Sequence, residues 1–388
     1  MTIGRRSFLG AAAGALAVPL ASCSRAELQE AEGKSRDELP TPALLLDLDR
    51  FEANLRTLAE HCRNAGRAAR PHAKTHKCPE IARRQVAAGA LGVCVATVPE
   101  AEAMARAGVE GILLTSPIVE PAKVRRMAAL GGAMLSVGHA REVELLEASG
   151  ARFDVLVDLD VGDRRTGVLP GAPARELAQR IGKSKKLRLR GVQAYAGHAS
   201  HTVGFEAREK ASREAMAKAC ETRDLLRKDG FDAAIVSGGS TGTYNIDTGD
   251  PGVTELQAGS YVFMDVDYRR IGGRSGAVYL DFYPSLTVLA TVVSATHGDR
   301  VTVDAGTKAI DTTTSWKPEA KDRPGLVYGR GGDEFGILTA EGGELPKIGE
   351  RLEFVVPHCD PTVNLYDRIY ALRGGRVEAA WPVAARRG

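Results

Sequence analysis

Phe153-Asp-Val-Leu-Val-Asp158 is a short β-branched and leucine run that ends on a carboxylate, and runs of its kind recur along the chain. Gly92-Val-Cys-Val-Ala96, Gly111-Ile-Leu-Leu-Thr115, Ala133-Met-Leu-Ser-Val137, Leu187 to Tyr195 and Ala233-Ala-Ile-Val-Ser237 share its character. Ala43-Leu-Leu-Leu-Asp47 reads as the first strand of this series and Ala68-Ala-Arg-Pro-His-Ala as the second. Helical stretches separate them, such as Leu48 to Asn64, with apolar residues at Phe51, Leu55 and Leu58. Strands joined by crossover helices pair in parallel. About eight such units over roughly 220 residues favour an α/β fold closed as a (β/α)8 TIM-type barrel.

The pattern changes near residue 275. Ala277-Val-Tyr-Leu-Asp-Phe, Leu286 to Ser294, Arg300-Val-Thr-Val-Asp304, Arg351-Leu-Glu-Phe-Val-Val356 and Arg368 to Leu372 are strands without intervening helices. The expected organisation is an export signal over 1–23, a tether over 24–40, a barrel over 41–274 and a mostly β domain over 275–388. At 388 residues the chain is long enough for both domains. Its net charge is only +3, which argues against an extended nucleic-acid footprint.

Arg5-Arg6-Ser-Phe-Leu9 precedes the small-sided apolar run Gly10 to Leu20. That run is too short for a permanent membrane span, and its form is that of a twin-arginine export signal. Periplasmic location is therefore expected, with a cytoplasmic enzyme as the alternative. Leu20-Ala-Ser-Cys23 also has the form of a lipoprotein box, making Cys23 a candidate acylation site. The six cysteines show no CxxC and no staple spacing.

Five motifs carry chemistry. His72-Ala-Lys74-Thr-His76-Lys77 follows an early strand and offers a primary amine for a Schiff base, at Lys74 or Lys77, with neighbouring cations to lower its pKa. Ser237-Gly-Gly-Ser-Thr-Gly-Thr243 ends another strand; its glycines let amide groups converge, and Ser240, Thr241 and Thr243 add hydroxyls, as a phosphate site needs. The lysine and this loop together read as an aldehyde-phosphate cofactor site, for which Arg165, or its neighbour Arg164, is a candidate buried guanidinium facing the pyridine nitrogen. Gln193, Tyr195, His198 and His201 cluster after a further strand. Finally, extended geometry would aim His358 and Asp360 the same way and Cys359 oppositely. That N/O pair suits Mn²⁺, Mg²⁺ or Zn²⁺, the mixed donors favouring a harder ion.

Together these stretches resemble the D-threonine aldolase / D-serine dehydratase-like family, fold-type III pyridoxal-phosphate (PLP) enzymes related to the alanine racemase N-terminal domain. The likeness runs through Thr41 to Asp49, Arg70 to Lys77, Gln193 with Tyr195, Ser237 to Thr243, Glu255 to Asp265, Asp304-Ala-Gly306 and Pro357 to Thr362. It implies Lys74 as the Schiff-base lysine. Gly239, Ser240, Thr241, Gly242 and Thr243 would form the phosphate loop, with Tyr195, Tyr261 and Arg165 around the cofactor. His201 is implied as a base and His358 with Asp360 as a metal pair, Mn²⁺ being favoured. The family's head-to-tail homodimers would let His358 serve the partner's site. One departure is Asp333-Glu-Phe335-Gly336, where the family commonly has histidine in place of phenylalanine.

The implied activity is cleavage of D-3-hydroxy amino acids, D-threonine being the type, to glycine and an aldehyde. Asp360 at the second metal position, rather than cysteine, favours this over a D-serine or D-threo-3-hydroxyaspartate dehydratase. A racemase or a non-enzymatic PLP-binding protein is less favoured, because neither uses a metal beside the β-hydroxyl.

Overall fold

A computed structural model describes residues 28–386. The expected export signal, with Cys23, lies outside the described residues, and among those described no helix is long and apolar enough to cross a membrane.

Eight parallel strands form the first sheet: β2 (Ala68–Ala69), β3 (Cys94–Val95), β4 (Leu113–Leu114), β5 (Met134–Val137), β6 (Phe153–Asp158), β7 (Leu187–Ala194), β8 (Ile235–Gly238) and β9 (Glu255–Leu256). Their order is β2-β9-β8-β7-β6-β5-β4-β3. A parallel bridge between His72 and Cys94 joins the two ends, with Cys94 N–H donating to the Pro71 carbonyl at 2.8 Å, so the sheet closes. Alternation sorts the side chains. Val155 and Val157 face the surrounding helices, while Leu156 packs with Cys94 and Leu113 in a separate inner cluster. The bidentate pair of Arg70 with Glu255, at 2.9 and 3.0 Å, is also buried, and the third Arg70 nitrogen donates to the Gly111 carbonyl.

The second sheet holds β1 (Ala43–Asp47), β10 (Leu286–His297), β11 (Arg300–Val303), β12 (Glu319–Ala320), β13 (Leu326–Arg330), β14 (Gly336–Ala340), β15 (Arg351–Val355), β16 (Arg368–Arg373) and β17 (Arg376–Pro382). Its order is β11-β14-β13-β12-β15-β10-β1-β16-β17, and a β10–β11 pairing closes its first part into a small barrel. This corrects the expected boundary. Ala43–Asp47 is not a strand of the (β/α)8 barrel; it lies between β10, antiparallel, and β16, parallel. The described part of the expected tether is docked as well. Gly33 N–H donates to the Val377 carbonyl, Arg36 N–H donates to the Gly375 carbonyl, and Leu39 is buried. The β domain is thus built from both ends of the described chain, with the barrel inserted between them.

The helix Leu48–Asn64 connects the two units. Asp47 caps it by accepting from the Arg50 amide at 3.1 Å, and Phe51, Leu55, Leu58 and Cys62 form its buried stripe. At the other junction, Val266 and Asp267 N–H donate to the carbonyls of Val356 and Pro357 at 3.0 and 3.1 Å. Those bonds fix the exit of β15 against the segment that follows β9, and so deliver residues 358–360 to the barrel mouth.

Candidate active site

A cavity of about 490 Å³ opens at the C-terminal ends of the barrel strands. Lys74, Arg165, Tyr195, His201, Ser240, Thr241, His358 and Asp360 all line it. The structure therefore gathers both predicted catalytic residues, both predicted metal ligands and four of the cofactor candidates around one space. His358 and Asp360 line the cavity of their own chain, together with its Lys74.

Lys74 sits on the 3-10 turn Ala73–Thr75 just beyond β2. The two lysines separate clearly by environment. Lys77 points its ammonium at the carbonyls of Lys74 (2.7 Å) and Asp360 (3.3 Å), a pin between two main-chain segments. Lys74 faces the cavity, with Nζ 5.7 Å from the centre of the Tyr195 ring. The flanking imidazoles supply no charge. Burial pushes His76 down to about 3, and it accepts the Cys78 amide on Nδ1. Burial, reinforced by Lys74, holds His72 well below its ordinary value. The Thr115 hydroxyl donates to the Val95 carbonyl, so it can only accept from His72 Nε2, which stands 3.0 Å away. His72 is thus a neutral wall beside the amine.

The glycine-rich loop is more selective than its sequence suggested. A Cβ on Gly242 would collide with the Ser200 carbonyl, and Gly239 has φ +75°, so both positions require glycine for the turn. Thr243 is fully engaged inside the loop: its hydroxyl accepts the Ser240 amide at 3.1 Å and donates to Asp247 at 2.5 Å. Burial raises that carboxyl to about 6, and Ser212 holds its other oxygen at 2.6 Å. Only Ser240 and Thr241 of this loop line the cavity. Gly239, Gly242 and Thr243 shape the loop from behind.

Tyr261 is a correction too. The 3-10 turn Ser260–Val262 buries its side chain in the core, where the hydroxyl accepts from Gln85 Nε2 at 3.2 Å. Only its amide serves the loop, donating to Thr241 Oγ1 at 3.0 Å. Arg165 does line the cavity, over the Tyr195 ring at 5.2 Å, but its side chain is 60% exposed rather than buried. The glycine-flanked segment after β6 carries it outward, and Asp163 is its nearest carboxylate at 3.6 Å. The buried charge here is Asp158, which burial raises while Gln193, donating at 2.8 Å, works the other way.

The corner that carries His358 and Asp360 is helical, not extended. Cys359–Val363 is a short helix with His358 at its N-cap, so Asp360 reaches the cavity from the first turn while Cys359 is wholly buried. His358 Nδ1 meets Asp265 Oδ2 at 2.9 Å, which leaves Nε2 as its free ligand atom. Burial works against the charge on Asp360, yet Lys74, His358 and Lys77 hold its carboxyl below the usual range. Its Oδ1 is buried without a hydrogen-bond partner. An orphaned carboxylate oxygen beside an anchored imidazole fits a divalent ion held by two protein ligands, the rest of its positions open. Among the described residues no group of three or more His, Cys, Asp or Glu encloses such an ion, so water or substrate oxygens would complete it.

Several residues escape the sequence reading. His72, Thr115, Asp158, Gln257 and Tyr268 line the cavity without having been assigned a role, and Asp265 and Asp267 stand behind His358 and His201. The alternating acids of Met264-Asp265-Val-Asp267-Tyr268 were a usable signal. His198 turns aside: it is not among the lining residues, and its amide is tied to Asp163 at 2.8 Å.

Comparison with known proteins agrees with this architecture. The family model described as alanine racemase, N-terminal domain, matches residues 46–267, and a serine dehydratase domain model matches 285–372. A D-threonine aldolase of Arthrobacter sp. is 40% identical over 354 residues, 89% of this chain and 92% of that protein. A 3-hydroxy-D-aspartate aldolase of Paracoccus denitrificans (strain Pd 1222) is 35% identical over 91% of this chain and 94% of its own length. The crystal structure of D-threonine aldolase from Filomicrobium marinum superposes with a TM-score of 0.87 at 38% identity, covering 92% of this chain and 97% of that one. With its barrel lysine, glycine-rich loop and appended β domain, the chain belongs to the fold-type III PLP family of alanine racemase-like barrels, on the D-threonine aldolase branch.

Proposed function

We propose that this protein is a PLP- and divalent-metal-dependent aldolase that cleaves D-3-hydroxy amino acids of the D-threonine type to glycine and an aldehyde. The observation that carries this reading is the convergence of Lys74, His201, His358 and Asp360 on one cavity. Lys74 would hold the cofactor, with Ser240 and Thr241 at its phosphate, while His358 and Asp360 would hold the ion, Mn²⁺ being favoured over Mg²⁺ or Zn²⁺. When bound, the cofactor supplies an electron sink for the Cα–Cβ bond and the ion acidifies a β-hydroxyl. His201 takes the hydroxyl proton, and His72, neutral and fixed, keeps a second cation away from the Lys74 amine. Tyr195, between Lys74 and Arg165, walls the opening.

Product analysis of the metal-loaded enzyme tests the assignment. D-Threonine should yield glycine and acetaldehyde. Ammonia with 2-oxobutyrate, or pyruvate from D-serine, would replace the aldolase with a dehydratase.

The same reading includes a homodimer and delivery to the periplasm by the twin-arginine machinery. The exposed apolar side chains of Val278, Leu280 and Tyr283 support the former, and sedimentation of the purified protein measures it. Arg5-Arg6 and the following apolar run support the latter. Lys-Lys at these positions should strand the precursor in the cytoplasm; equal fractionation of both forms would remove the export proposal and leave the enzyme untouched.

A further inference from the structure

We propose that Asp267, clamped by the indole of Trp316, is the positioning residue that fixes the proton of His201 on Nδ1 and turns Nε2 to the substrate. This rests on His201 acting as the base in the reaction proposed above. His201 follows the helical turn Gly197–Ser200 at the cavity edge, its ring against that of Tyr268 with centroids 4.5 Å apart. Its Nδ1 lies 3.0 Å from Asp267 Oδ2. That nitrogen is buried and, besides this close contact, has no hydrogen-bond partner. A close contact short of a full hydrogen bond is the form such pairs take before substrate tightens them.

The other Asp267 oxygen is committed. Oδ1 accepts the Nε1–H of Trp316 at 2.9 Å. Trp316 belongs to the β domain, on the segment between β11 and β12, and its ring lies against the Arg270 guanidinium at 5.4 Å. Asp265 and Asp267 therefore act as a two-pronged support, the first on His358 and the second on His201, whose rings meet edge-on at 6.4 Å. Burial disfavours the Asp267 charge, but His201, His358 and Trp316 outweigh it and keep the carboxyl below its ordinary range.

Donor counting sharpens the role. An indole N–H only donates, so it requires an oxygen at its side of residue 267. A carboxylate offers a second oxygen to His201, which must then present Nδ1–H, leaving Nε2 as an acceptor. In Asp267→Asn the amide oxygen stays with Trp316 and the NH2 group faces His201. The imidazole must then accept at Nδ1 and carry its proton on Nε2, so the base is lost while the fold is kept.

The test uses ¹⁵N-histidine-labelled, cofactor- and Mg²⁺-loaded enzyme, with the His201 signals assigned by their loss in His201→Gln. The wild type should show Nδ1–H and Asp267→Asn Nε2–H. Adding Trp316→Phe to Asp267→Asn frees the amide to flip and should restore part of the Nδ1–H form. In kinetics, Asp267→Asn should lower kcat by about 10²-fold with little change in KM. In the His201→Gln background it should add almost nothing. An unchanged tautomer in Asp267→Asn, or an equal loss of kcat in both backgrounds, overturns the proposal. The NMR readout stands even if D-threonine proves not to be a substrate, so the two failures are distinguishable.

Discussion

Lys74→Ala should lower turnover by about 10³-fold or more and abolish the visible absorbance of the lysine-bound cofactor, while the protein stays folded. The reason is geometric. Lys74 is on a short turn whose amide is capped by His72, and its side chain enters the cavity rather than supporting the core. Lys77→Ala is the control. It should weaken the pin between the carbonyls of Lys74 and Asp360 but keep the covalent link to the cofactor. Borohydride reduction of the wild type followed by peptide mapping should put the added mass on Lys74. A label on Lys77 would refute the assignment.

Asp360→Ala should separate the cofactor from the ion. The visible spectrum is expected to stay close to that of the wild type, whereas kcat falls by about 10²-fold or more, since even an outer partner of a metal ligand commonly costs 10- to 100-fold. Excess divalent ion should recover part of the loss, because His358 remains anchored by Asp265. Full activity of the unmodified enzyme after exhaustive chelation would end the metal-assisted reading altogether.

What could be read from the sequence follows from how local each signal is. The strand–helix alternation from Ala68 to Leu256 is local, and it yields the barrel with its loops at the correct ends. Lys74, Ser240 and Thr241 are legible because a turn directly after a strand fixes where they point. The sheet to which Ala43–Asp47 belongs is not legible, because its first four residues are buried on both faces, a pattern equally suited to either sheet. His358 and Asp360 are legible by type, but their helical geometry is not, since Cys359 to Val363 form a helical turn that alternation cannot foresee. Tyr261 failed for a related reason: a likeness in sequence fixes its amide beside Thr241, whereas a 3-10 turn decides where the ring goes. Asp267 and Trp316 lie far apart in the chain and acquire a common role only when the two domains meet.

The placement of Ala43–Asp47 between β10 and β16 has a consequence for synthesis. A chain leaving the ribosome must present this strand first, then wait through translation of the whole barrel before either neighbour exists. The half that carries the lysine and the glycine-rich loop can therefore be complete while the half that carries His358 and Asp360 is still unmade. Closure of the second half falls to the last hairpin, which pairs with the opening strand and with residues 33–36 at once. Truncation there would unseat residues 33–36 and the strand Ala43–Asp47 as well as the hairpin itself.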